Sequence, residues 1–124
     1  MKILNIAIII VSDTRTHDTD KSGKKLSEMI SNEGHLVVTK EIVKDDVYAI
    51  RKVASDFIFN SDIDVIILSG GTGITGSDGT PEAIAPLLDK IIDGFGELFR
   101  LKSFEKIKTS SLQSRALAGV ANKT

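Results

Sequence analysis

Residues 3–11, ILNIAIIIV, are a nearly continuous apolar, β-branched run that breaks off at Ser12-Asp13-Thr14-Arg15-Thr16. A strand with one wet face alternates apolar and polar residues. This one scarcely does, the pattern of a central parallel strand covered on both sides. It is too short to span a bilayer. It lacks a small-residue cleavage site, and polar residues follow at once, so it is not read as a leader.

Working outward, the period switches between strand and helix. Leu26, Met29 and Ile30 are spaced for a helix over 21–33, stopped by Gly34. Residues 35–43, HLVVTKEIV, read as a second strand, and Val47, Ile50, Val53, Ala54, Phe57 and Ile58 as one face of a second helix. Asp45 or Asp46 is placed to cap it. Residues 64–68, DVIIL, form the third strand. Thr80 is expected as the N-cap of the next helix, with Pro81 at its first position and Pro86 limiting it. Helices are expected over 95–104 and 111–121. Strands alternating with helices predict one domain over 1–124, a three-layer α/β/α fold with a mainly parallel sheet and right-handed crossovers. Ligands bind such sheets at the carboxyl ends of their strands. SDTRT, VKDD and SGGTG stand there.

The 124 residues contain no cysteine, which removes disulfides and thiolate metal sites. Sixteen basic and seventeen acidic residues give a net charge of −1. No basic run exists to track a nucleic acid. The expectation is a soluble, cytoplasmic protein with neither nucleic acid nor membrane as partner.

The third strand runs into residues 69–83, SGGTGITGSDGTPEA. Gly71, Gly73 and Gly76 spell GxGxxG, but a dinucleotide fingerprint opens its helix at the third glycine, and no helix start appears before Pro81. A P-loop needs lysine where Ser77 stands. What remains is a loop of glycines and hydroxyls whose free backbone N–H groups suit an anion. Asp78 is either a turn residue or a Mg²⁺ ligand beside phosphates. Asp13, in SDTRT, reads equally well as an ordinary loop residue. Near the other end, Thr109, Ser110, Ser111, Gln113, Ser114 and Arg115 gather where a helix start would favour an anion. Arg115 reads either as a bidentate phosphate contact or as a solvated or salt-bridged residue. His17 and His35 have no partner at ligand spacing. Phe95, Phe99 and Phe104 belong to the core or to a subunit contact.

Taken together, SDTRT, VKDD, LSGGTGITGSDGTPEA, GFGELFR and TSSLQSRALAGVAN resemble the MoaB/MogA-type molybdenum cofactor biosynthesis proteins, and the last two segments resemble the MoaB branch. The resemblance implies a molybdopterin-binding fold that uses ATP and Mg²⁺ to adenylylate molybdopterin, releasing pyrophosphate. It implies a trimer or hexamer, and the pathway's molybdenum insertase as a partner. Matched by position, the family's catalytic, metal-holding aspartates fall on Asp45 and Asp78. Gly70, Gly71, Thr72, Gly73 and Gly76 would hold phosphates, Ser12 and Thr14 would line the nucleotide side, and Thr80, Ser110, Ser114 and Arg115 the molybdopterin side. Lys44 stands where the family has proline and Lys108 where it has glycine. Family members continue past Asn122-Lys123-Thr124 with an apolar strand and a Pro-Gly loop, so the chain is expected to be C-terminally short. The alternative function is a non-catalytic pterin- or nucleotide-binding subunit of the same pathway.

Overall fold

The computed structural model describes residues 2–124. Strand β1 (Asn5–Val11) lies between β2 (Leu36–Val43) and β3 (Val65–Ser69), and both pairings are parallel. Its residues divide between two cores, as the unbroken apolar run requires. Ile6, Ile8 and Ile10 pack with Ile30 of α1 (Lys21–Asn32). Ile9 and Val11 pack on the opposite face with Ile50 and Ala54 of α2 (Val47–Phe59) and Ala83 and Ile84 of α3 (Thr80–Ile84). Ile8 and Ile9 are fully buried, each contributing about 1.5–3 kcal/mol. The β1–β2 register slips between Ile6 and Ala7, leaving Val38 unpaired and exposed.

Helix α1 is anchored at its start by Asp20, which is almost fully buried. Its Oδ1 accepts from the Gly23 N–H at 2.8 Å, and its Oδ2 lies 3.3 Å from the Lys40 ammonium on β2. Of the expected α1 stripe, Ile30 is buried and Leu26 packs beside it, whereas Met29 faces outward. The chain turns at Gly34 toward β2, and just before that strand His35 Nδ1 accepts from the Leu4 N–H.

Two expectations are corrected, and one open alternative is decided. Thr80 is not the cap of α3. The N-cap is Gly79, and the buried Thr80 hydroxyl donates instead to the Gly70 carbonyl at 2.8 Å. Asp46, not Asp45, caps α2, accepting from the Ala49 N–H.

The second correction falls on residues 111–121, which are not helical. A 3₁₀ turn covers Lys108–Gln113, an extended segment follows, and β5 (Gly119–Val120) pairs antiparallel with β4 (Lys90–Ile91). The backbone there is satisfied sideways: Arg100 donates to the carbonyls of Ser114 and Ala116, and the Arg115 N–H donates to the Thr72 carbonyl. Helix α4 (Asp93–Ile107) includes the expected 95–104 piece, and Pro86 ends α3 in a 3₁₀ turn as expected. An open cleft of about 880 Å³ runs between β3, α4 and residues 115–121, lined by Ile67, Leu88, Phe99 and Leu117. Among the described residues, no helix is long and apolar enough to cross a membrane.

Candidate functional site

The three parallel strands deliver SDTRT, VKDD and the glycine loop to one end of the sheet. Hydrogen bonds tie them together there. The Ser12 N–H donates to the Val43 carbonyl, Asp13 Oδ1 accepts from the Asp45 N–H at 3.0 Å, and Asp45 Oδ1 accepts from the Gly79 N–H at 3.0 Å. Asp45 therefore lies against the glycine loop, although Gly79 is 34 positions away in sequence. The bracing role of Asp13 is invisible in its own segment, because nothing local marks a carboxylate that holds a distant backbone.

Gly70 and Gly71 carry the chain out of β3 with φ of 103° and 68°, values that side chains disfavour, and a Cβ on Gly70 would strike the Val11 carbonyl. The N–H groups of Gly70, Gly71 and Thr72 donate to no protein acceptor among the described residues. Farther along, a Cβ on Gly73 would sit 2.6 Å from Asp78 Oδ2. That oxygen accepts from both the Thr75 hydroxyl (2.7 Å) and the Thr75 N–H (3.0 Å). The hydroxyl bond first, then the amide bond, holds the Asp78 carboxyl below its usual range. Gly76 sits in an open turn with nothing near it, and the next helix begins at Thr80. The dinucleotide reading is therefore excluded.

Other candidates sit close by in different postures. Ser12 Oγ accepts from the N–H groups of Thr14 and Arg15 and so shapes its own loop. Ser114 joins the site through its neighbour Arg115, while Ser110 is exposed on the 3₁₀ turn with no hydrogen bond to the glycine loop. Arg115 is turned into the loop: Nε donates to the Gly73 carbonyl at 2.7 Å, Nη2 to the Asp78 carbonyl at 2.6 Å, and the fork meets the Glu82 carboxylate at 2.5 and 2.9 Å. Four of its five N–H donors are thereby engaged. Glu82 is a residue that sequence reasoning misses. Its only local signal is an acidic residue in the first turn of a helix.

Residues 7–123 match the family model described as a probable molybdopterin binding domain. The chain belongs to the MoaB/MogA-type molybdenum cofactor biosynthesis proteins. It is 52% identical over 119 residues to molybdenum cofactor biosynthesis protein B of Escherichia coli K12, a match covering 96% of this chain and 70% of that protein. A crystal structure of a molybdenum cofactor biosynthesis protein B superposes with a TM-score of 0.93 at 46% identity, covering 97% of this chain and 75% of that one. The tungsten cofactor synthesizing protein MoaB of Pyrococcus furiosus superposes at 0.84 with 38% identity, covering 98% and 75%. The MoaB/MogA resemblance and the α/β fold expected from the strand pattern are both borne out.

Proposed function

We propose that the protein is a molybdopterin adenylyltransferase that uses Mg-ATP to form molybdopterin-AMP and pyrophosphate, in the cytoplasm. The observation that carries this reading is the convergence of Asp45 and Asp78 on a glycine loop whose N–H groups at Gly70, Gly71 and Thr72 are unspent. A terminal phosphate oxygen of molybdopterin attacks the α-phosphorus of ATP. A new P–O bond forms there, the bond to the bridging oxygen breaks, and pyrophosphate leaves with that electron pair. The nucleophile is already ionised at neutral pH, so the chain's task is alignment and charge balance rather than proton transfer.

Asp45 Oδ2 has no protein donor among the described residues, and the Asp78 carboxyl is approached by the Thr75 hydroxyl and by the amides of Thr75 and Gly73. Hard carboxylate oxygens beside a phosphate site fit Mg²⁺, which when bound would neutralise the triphosphate. The loop N–H groups bind phosphate oxygens. Ser12 and Thr14 flank the nucleotide, and Thr80, Ser110 and Ser114 belong to the pterin side. Helix α4 exposes Phe95, Leu98, Phe99 and Leu101, which supports assembly as a trimer or hexamer. The pathway's molybdenum insertase would receive the product.

Pyrophosphate release from ATP in the presence of molybdopterin tests the reading. Asp78→Asn is expected to lower the rate about 100-fold or more while the fold remains intact. A variant turning over at the parental rate removes Asp78 from the chemistry. The second reading, a non-catalytic pterin- or nucleotide-binding subunit, draws on the fact that both aspartates also brace the loop, a task that persists without catalysis. Mg-ATP binding without pyrophosphate release would select it.

A further inference from the structure

Arg115 holds the glycine loop by its carbonyl oxygens. Its backbone N–H takes the Thr72 carbonyl at 2.9 Å, Nε takes that of Gly73, and Nη2 takes that of Asp78. A trans peptide is planar, with its C=O and N–H pointing in opposite directions. Three carbonyls drawn toward one residue therefore turn the N–H groups of Gly73, Ile74 and Gly79 away from it. The Gly79 N–H shows the result directly, because it lands on Asp45 Oδ1. Arg115 is in turn gripped by the Glu82 carboxylate, and the Glu82 carbonyl accepts from Arg51 of α2 at 3.0 Å. The line of support runs from α2 through α3 and Arg115 to the loop.

We infer that Arg115 is a positioning residue that fixes three peptides of the glycine loop, 72–73, 73–74 and 78–79, with their carbonyls toward it and their N–H groups away, and that Glu82 acts through Arg115 to keep them so. The inference rests on the adenylylation reading for its consequence but not for its geometry. It differs from what the family resemblance implies, in which Arg115 binds the pterin phosphate directly. The two assignments predict opposite signs. If Arg115 is a direct ligand, removing Glu82 frees a guanidinium and removes a nearby negative charge, so an anionic ligand binds more tightly. If Arg115 is a clamp, losing Glu82 loosens the loop and the ligand binds more weakly. Lysine in place of Arg115 keeps the charge but cannot fork to several acceptors, so it should serve a ligand role and fail a clamp.

The test uses the full chain and its Glu82→Gln, Glu82→Ala and Arg115→Lys variants. Mg-ATP affinity is read by calorimetry, molybdopterin affinity by fluorescence, and amide hydrogen exchange along the backbone by mass spectrometry. The clamp predicts Mg-ATP binding weakened about tenfold in Arg115→Lys and Glu82→Ala, and less in Glu82→Gln, which keeps one acceptor. Exchange should quicken over residues 70–79 while β1 and β2 stay protected, a pattern that general destabilisation would not give. Tighter ligand binding in the Glu82 variants, or unchanged exchange over 70–79, overturns the inference. Should the parent chain bind no Mg-ATP, the adenylylation reading falls, and the exchange data alone decide the clamp. If Arg115→Lys does not fold, the two variants at half-exposed Glu82 carry the same decision.

Discussion

Helices α1 and α4 are close in length, yet they stand in the fold in different ways. In α1 Leu26 and Ile30 face the sheet while Met29 turns outward, and Ile30 completes the cluster formed by Ile6, Ile8 and Ile10 of β1. In α4 the apolar residues spread around the whole circumference, and only Gly96 is buried. Leu98, Leu101 and Ile107 are more than half exposed, and Phe95 and Phe99 stack on each other at a centroid distance of 5.9 Å. A helix with one apolar stripe finds its partner within the chain. One whose apolar residues are spread among charged ones and left exposed needs cover from elsewhere, which is the circumstance expected of a subunit contact.

The sharpest way to break this contrast is a charge on the exposed apolar surface of α4. Leu101→Lys on α4 should raise the dissociation constant of any assembly by about 100-fold or more, since a charge placed in an apolar interface removes packing and is left unpaired. The melting temperature measured at low protein concentration should barely move. Analytical ultracentrifugation of the parent and variant checks it. Identical masses across the concentration range would mean that this face is not a subunit contact.

A smaller effect is expected at the end of α4. Lys108 adopts φ 55° and ψ −132°, a region that side chains disfavour, with its ammonium 5.7 Å from the Phe104 ring centre. Lys108→Gly should stabilise the chain by about 1 kcal/mol, because the backbone strain it relieves outweighs an exposed cation–π attraction. Chemical denaturation measures it. A drop in stability would show that the attraction to Phe104 is the larger of the two.

The smallest effect concerns acid. The Arg115 bond to Glu82 and the Thr75 hydroxyl bond to Asp78 hold both carboxyls below their usual range. Native carboxyls with lowered values bind fewer protons than unfolded ones, so their contribution is complete above the ordinary carboxylate range and disappears as pH falls through the lowered values. Protection of residues 70–79 should therefore stay level from pH 7 to about pH 5 and decline only below about pH 4. Glu82→Gln should flatten that acid limb. A decline that begins between pH 7 and pH 6 would point to a different group.

The contrast between α1 and α4 also explains what the sequence made legible. The parallel sheet could be read because β1 is covered on both faces by the same chain, so ILNIAIIIV records its surroundings directly. The glycine loop stood out because strand ends in such sheets collect ligands, whereas Asp45 and Asp78 were brought together only by the resemblance to the family. What stayed hidden depends on contacts between distant residues. Nothing near Thr80 shows that its hydroxyl will seek the Gly70 carbonyl rather than cap a helix. Residues 111–121 carry helical spacing, but Arg100 and the Thr72 carbonyl hold that backbone extended. Arg115 and Glu82, 33 positions apart, carry no shared local signal.

The anchorage of α1 constrains how this chain can vary. The Asp20 carboxylate occupies the space where a side chain on residue 23 would begin, and its second oxygen faces Lys40 from another element. Positions 20, 23 and 40 are therefore one unit of inheritance, although a helix and a turn separate the first two from the third. A substitution at any one of them is tolerated only when the others change to suit. Related chains should carry the set Asp, Gly and a cation together, or have replaced all three.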